Sequence, residues 1–261
     1  MCGTCGCEDS SGGGAGTRIA VPHDHTGAPH SHVHDVRRTV PGPPAGGETI
    51  TLEQRVLAKN DDLARRNRGW LAEHGIVAVN IMSSPGAGKT TLLERTIRHL
   101  AGTRPVAVVE GDQETLLDAE RIKRAGCAVV QVNTGAGCHL DAGMMHGALT
   151  TLAPAPGTLV LVENVGNLVC PALFDLGEQS KVVVISVTEG TDKPLKYPYM
   201  FAAADLVVIN KIDLLPYVDF DVDRCAEYAR SVNPGLHLLT VSATSGEGMG
   251  DWYDWVAGQY R

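Results

Sequence analysis

The chain has 261 residues, 43% of them hydrophobic, and a formal charge of −8, which suits one sizeable soluble domain with an appendage. A net acidic chain without a basic cluster argues against nucleic acid or an anionic membrane as the main partner. No apolar run approaches the roughly 20 residues of a membrane span, and the N-terminus lacks a signal-peptide core. A reducing cytoplasm is therefore expected, where seven cysteines read as thiols or metal ligands rather than disulfides.

Residues 1–47 do not read as a fold. Cys2-Gly3-Thr4-Cys5-Gly6-Cys7 leads into Gly12-Gly13-Gly14, His23-Asp24-His25, His30-Ser31-His32-Val33-His34 and Pro41-Gly42-Pro43-Pro44. Large aliphatic residues are few and without period, so burial does not offset the entropy of ordering, and a flexible tail is expected. Cys2, Cys5 and Cys7 bring three soft thiolates within a few residues, a ligand set for Zn²⁺, Ni²⁺, Cu⁺ or iron–sulfur. The alternative is a redox-labile end. The histidines fit either a metal buffer or a spacer.

Residues 48–261 read as the folded domain, opened by a helical segment over 48–75. Leu52, Val56, Leu57, Leu63, Trp70 and Leu71 recur there at near-helical spacing, with Thr51 as the expected N-cap. A strand-then-helix rhythm follows. Short apolar runs at 76–82, 106–109, 128–132, 159–162, 182–185, 206–209 and 236–239 read as buried parallel strands. The fold class is α/β: a three-layer domain with a mostly parallel sheet, whose ligands bind beyond the carboxyl ends of the strands.

The first run leads into Ser83-Ser84-Pro85-Gly86-Ala87-Gly88-Lys89-Thr90-Thr91, and then a helix. Strand, glycine-bearing loop, Gly-Lys-Thr and helix are the context of a phosphate-binding loop, here with Ser83 in place of the first glycine. Gly86, Ala87 and Gly88 curl the backbone so that its N–H groups face phosphate oxygens at the helix N-terminus. Lys89 would reach the β- and γ-phosphates, the Thr90 hydroxyl would ligate Mg²⁺, and Thr91 completes the loop. Asp112, past the run at 106–109, and Glu163, past that at 159–162, are carboxylates able to hold magnesium waters or orient an attacking water. Glu163-Asn164-Val165-Gly166 matches the Asp-x-x-Gly element of GTPases with Glu in the Asp place. Solvated loops are the alternative for either carboxylate alone. Asn210-Lys211-Ile212-Asp213 carries base choice. The Asp213 carboxylate accepts both N1–H and the 2-amino proton of guanine, whereas adenine offers neither. Lys211 would lie along the base, and Ser242 and Ala243 supply backbone donors near guanine O6.

Cys138 and His139 stand side by side after the run at 128–132, and Cys170 lies shortly past Glu163. Two thiolates and an imidazole suit Zn²⁺ or Ni²⁺; the alternative is three unrelated residues. Cys127 and Cys225 lack ligand-like neighbours and read as core.

Together these motifs resemble the HypB family of GTPases, which assist nickel insertion into [NiFe]-hydrogenase. The resemblance runs through the domain: the phosphate loop with its Ser83, Glu110-Gly111-Asp112-Gln113-Glu114-Thr115, Thr134-Gly135-Ala136-Gly137-Cys138-His139-Leu140, Glu163 to Pro171, Thr188 to Pro198 and Asn210 to Asp213. It implies a homodimeric GTPase whose Cys138, His139 and Cys170 bind nickel or zinc at the subunit interface; slow turnover is expected separately, because the sequence shows no arginine finger. The resemblance further implies a separate nickel site at Cys2, Cys5 and Cys7, a nickel-binding maturation partner and the hydrogenase large subunit as recipient. Two other readings stay open: a nickel- or zinc-storage protein with a regulatory nucleotide site, and a urease-type nickel-insertion GTPase.

Base recognition by Asp213 has a direct test. Asp213→Asn is expected to exchange GTP for xanthosine triphosphate, because the amide pairs with the carbonyl that replaces the 2-amino group. Retained selectivity for GTP over ATP in nucleotide-competition binding would place the base elsewhere.

Overall fold

The computed structural model describes residues 47–112, 117–134 and 137–260, and the side chains of these except at 47–53, 112, 117 and 118. Cys2, Cys5, Cys7 and the histidines of the expected tail lie outside the described residues. Backbone contacts divide the chain into Met1–Gln54 and Arg55–Arg261, and of the first unit only the opening of helix α1 (Gly47–Glu73) is described. That helix begins four residues before Thr51, so Thr51 lies inside it and is not its N-cap.

The second unit is built on seven parallel strands: β1 (Val77–Ser83), β2 (Val106–Asp112), β3 (Ala128–Asn133), β4 (Leu159–Gly166), β5 (Ser180–Ser186), β6 (Leu206–Asn210) and β7 (His237–Thr240). Their order across the sheet is β3-β2-β4-β1-β5-β6-β7, and every pairing is parallel. Helices α2 (Lys89–Leu100), α3 (Leu117–Arg124), α4 (Ala142–Leu152), α5 (Lys193–Lys196), α6 (Pro198–Ala203), α7 (Val222–Val232) and α8 (Met249–Gly258) fill the connections. The expected α/β fold is present, with two adjustments at the rims. β3 and β7 each have one neighbour, so both are half-exposed rather than buried. The last strand also starts one residue later than its apolar run.

Alternation along β1 assigns the layers. Val77, Val79 and Ile81 pack with Leu92, Leu93 and Ile97 of α2, Ile122 of α3 and Trp252 of α8. Ala78 faces the opposite way, towards Leu71 of α1 and Met145, Ala148 and Leu149 of α4. Met82 joins Met200 and Phe201 of α6 and Cys225 and Ala229 of α7. Each fully buried aliphatic side chain contributes roughly 1.5–3 kcal/mol, so the central strands hold most of the stability. Trp252 reconciles its polar edge with burial by donating Nε1–H to Thr96 Oγ1 at 2.8 Å.

α1 makes one especially close contact, at Gly177 in the loop before β5. Gly177 has φ +89°, and a Cβ there would lie 2.5 Å from the Ala64 carbonyl and 2.7 Å from Asn67 Cβ. Only glycine accepts both the left-handed backbone and the helix pressed against it. Gly177→Ala is therefore expected to lower unfolding free energy by roughly 2–4 kcal/mol. Gly69→Ala, on the same helix with open space around it, is expected to raise it by about 0.5–1 kcal/mol. Urea denaturation of the two variants separates these outcomes.

Candidate functional site

β1 delivers Ser83 to the carboxyl edge of the sheet, where residues 84–88 turn into α2. Gly86 (φ 73°) and Gly88 (φ 97°) adopt left-handed backbone, and a Cβ on Gly88 would collide with Asn210 Nδ2. The close approach comes from Asn210 being hydrogen-bonded to the loop. Its Nδ2 donates to the Ala87 carbonyl at 2.9 Å, and its Oδ1 accepts the Ala243 N–H at 3.0 Å. Lys211, itself left-handed at φ 64°, donates from Nζ to the Gly86 carbonyl at 2.7 Å. The base motif and the phosphate loop are thus one hydrogen-bonded assembly, and in it the Ala243 N–H is directed at Asn210.

Ser83 has a local reason. Lys89 Nζ donates to Ser83 Oγ at 2.8 Å, a partner that a glycine would not supply. Thr90 Oγ1 donates to Glu163 Oε1 at 2.7 Å, with both residues buried. Gly166, at the end of β4, lies so close to the loop that a Cβ would sit 3.2 Å from Pro85 Cα. Gly86, Gly88, Lys89, Thr90, Thr91, Arg121, Glu163 and Lys211 line a cleft of about 350 Å³. Its glycine cradle, lysine and helix N-terminus fit a nucleotide phosphate chain. Asp213 is exposed, in the first turn of the 3-10 turn Ile212–Tyr217, and Ser242 is buried with its Oγ accepting the Ser245 N–H. The Asp112 backbone pairs with Asn133 at the edge of the sheet, while its side chain lies outside the described atoms.

Arg121 is a cleft residue that no sequence signal marks. α3 carries it to the cleft, with Nε 3.2 Å from Glu94 Oε1 and Nη2 3.4 Å from Thr91 Oγ1. Only the packing of α3 beside α2 brings it there, so no local motif could have identified it.

The three expected metal ligands do meet. Cys138 Sγ donates to Cys170 Sγ at 2.8 Å, and His139 Nδ1 is 3.8 Å from Cys138 Sγ. One ligand atom from each of the three lies within 4.8 Å of the others. Cys170 is buried at the start of the 3-10 turn Cys170–Leu173, while Cys138 and His139 are half-buried. His139 stacks on Phe174 with ring centroids 3.9 Å apart. Burial pushes the His139 imidazole below its ordinary value, which favours the neutral ring that metals bind. Two sulfurs and one nitrogen leave room for a further ligand on a tetrahedral or square-planar ion. Cys127 and Cys225 differ in chemistry: burial pushes their thiols up to about 11 and about 12, the protonated, inert form.

Both loops that carry the candidate ligands are fastened to α1. Asn60 donates to the Asp175 carbonyl at 2.8 Å and accepts the Ala142 N–H at 2.9 Å. Asn67 donates to the Ala142 and Leu176 carbonyls at 2.8 and 2.9 Å. Ala142 follows His139 by three residues, and Leu176 follows Phe174 by two.

The family profile described as "CobW/HypB/UreG, nucleotide-binding domain" matches residues 77–240. The chain is 49% identical to hydrogenase maturation factor HypB of Azotobacter vinelandii, with 99% of this chain and 92% of the relative covered. It is 54% identical to HypB of Escherichia coli K12, over 80% of this chain and 72% of that protein. Among solved structures, HypB of Archaeoglobus fulgidus superposes with TM-score 0.73 and 42% identity, covering 78% of this chain and 100% of that one. HypB of Helicobacter pylori, solved in complex with nickel, superposes with TM-score 0.72 and 36% identity, covering 78% and 95%.

The close approach of Gly88 to Asn210 predicts a nucleotide-binding defect. Gly88→Ala is expected to weaken guanine nucleotide binding by roughly 5- to 150-fold, the equivalent of the 1–3 kcal/mol of an overpacked site. Equilibrium dialysis with GDP, alongside circular dichroism to establish folding, measures it.

Proposed function

The chain belongs to the HypB family of hydrogenase maturation factors, and from that premise we propose that it is a GTP-hydrolysing nickel metallochaperone. The observation that carries the reading is the convergence of Cys138, His139 and Cys170 in one chain, with Cys170 on the segment that follows the Thr90–Glu163 contact. In this reading Lys89 neutralises the β- and γ-phosphates, and Asp213 reads guanine with Asn210 and Lys211 bracing the pocket. Gly86, Ala87, Gly88 and Thr91 present backbone donors to phosphate, while Ser242 and Ala243 close the base side. Thr90 and Asp112 would hold Mg²⁺, which supplies charge neutralisation on the phosphates when bound. Glu163 orients water beside it.

Nickel is the cargo, and zinc is the competing occupant of the same sulfur and nitrogen donors. GTP orders the segment from Glu163 to Cys170 and brings two subunits together; hydrolysis loosens it, an order–disorder switch. A two-fold axis would set identical ligands opposite each other. Cys2, Cys5 and Cys7 form a separate nickel site on the tail of residues 1–47. A nickel-binding maturation protein and the hydrogenase large subunit are the partners, in the cytoplasm. Among the described residues no helix is long and apolar enough to cross a membrane. Lys89, Thr90, Asp112, Glu163 and Asp213 are all present, which favours a hydrolysing enzyme over a metal-storage protein with a regulatory or vestigial nucleotide site.

Two measurements test the reading. Nickel affinity of the 138/139/170 site should differ between GDP and a non-hydrolysable GTP analogue, and Cys138→Ala or Cys170→Ala should abolish it; equal affinities in both states would separate metal from nucleotide. Removing residues 1–10 should delete one nickel equivalent and leave GTP turnover unchanged, at an intrinsic rate on the order of 10⁻⁴ to 10⁻² s⁻¹. A truncation that cripples hydrolysis would instead make the tail part of the catalytic unit.

A further inference from the structure

Beneath the metal ligands runs a chain of buried polar side chains that the nucleotide and metal sites do not themselves require. Asn164 is 1% exposed and follows Glu163 on β4. Its Oδ1 accepts the Leu140 N–H at 3.2 Å and the Val165 N–H at 2.9 Å. Its Nδ2 donates to Asn80 Oδ1 on β1 at 3.2 Å, and Asn80 Nδ2 donates to Glu178 Oε1 at 3.0 Å. Glu178 Oε2 in turn accepts the Leu176 N–H at 2.7 Å. One end of the chain is therefore the residue after His139, and the other lies two residues past Phe174, the ring that stacks on His139.

Leu140 makes a second connection. Its side chain is fully buried and packs against Gly111, where a Cβ would lie 2.7 Å from Leu140 Cγ. Gly111 immediately precedes Asp112 on β2. Leu140 is thus held by its N–H to the strand bearing Glu163 and by its side chain to the strand bearing Asp112. Glu163 and Asn164 are consecutive in an extended strand, so they project to opposite faces: Glu163 to Thr90 of the phosphate loop, Asn164 to the metal loop.

We propose that Asn164 and Leu140 are the positioning residues through which the nucleotide state sets the geometry of Cys138, His139 and Cys170. This inference rests on the coupled reading above and names the path for it. A displacement of β4 at Glu163 is carried through the backbone to Asn164, and from its Oδ1 to the loop that holds Cys138 and His139. Asn80 and Glu178 carry the same constraint to the Phe174 side. Buried polar groups cost stability unless satisfied; here the paired partners make the displacement of one loop costly without the other.

The test uses the full chain with Cys2, Cys5 and Cys7 changed to serine, so that only the second cluster reports. Ni²⁺ affinity is read from thiolate-to-metal charge-transfer absorption, in GDP and in a non-hydrolysable GTP analogue. The parent should show an affinity ratio in the roughly 5- to 150-fold range of allosteric couplings. Asn164→Ala should bring that ratio to within about twofold of unity while the three ligands still bind Ni²⁺. Leu140→Ala, which leaves the polar chain intact, should reduce the ratio too, and it decides the matter if the Asn164 variant fails to fold. A parent ratio of one overturns the coupled reading, and this inference with it. A normal parent ratio that survives in the folded variants, even with affinity lowered equally in both states, overturns this inference alone and leaves the residues a purely structural role.

Discussion

The parallel pairing of β1 with β4 is the constraint on which the site depends. Its register sets Ile81 against Glu163 and Ser83 against Gly166, with an irregularity between them. That step leaves Glu163 level with the phosphate loop, so that Thr90 Oγ1 reaches it at 2.7 Å, and brings Gly166 against Pro85. A one-residue slip would turn Glu163 to the other face of the sheet, as it would every neighbour on the strand. The buried polar residues oppose the slip, because it would part Glu163 from Thr90 and Asn164 from Asn80 and leave those groups buried without partners.

The same pairing explains why polar residues are tolerated in the core. Asn80 sits in the middle of β1 and is fully buried, where an unpaired amide would cost several kcal/mol. Asn164 and Glu178 complete it, while Asn60 and Asn67 of α1 serve the neighbouring loops. These side chains fix where loops lie rather than adding bulk stability, since the net gain of a satisfied buried hydrogen bond is only about 1 kcal/mol. They cluster where Cys138, His139 and Cys170 must converge.

The cysteines show how environment, not residue type, decides chemistry. Cys225 is buried in one apolar cluster and Cys127 is partly buried against another, and burial keeps both thiols protonated. Cys138 and Cys170 face each other across two loops, with an imidazole alongside. Facing sulfurs offer an ion two donors at once, which neither isolated thiol does.

The sequence by itself determined the repeated strand–helix order, because apolar β-branched runs and glycine-bearing turns are local signals. It likewise marked the phosphate loop, the Asn210 to Asp213 motif and the candidate ligands, whose chemistry depends on a few adjacent residues. It placed Thr51 as a cap and the runs at 128–132 and 236–239 as buried strands, since neither helix starts nor edge positions are visible in a short window. Only the tertiary structure brought Cys170 to Cys138, 32 residues apart, and carried Arg121 to the cleft. It alone also joined Asn80 to Asn164 and Glu178. Contacts of that kind depend on strand order, and strand order is set by how whole layers pack rather than by any residue's neighbours in the chain.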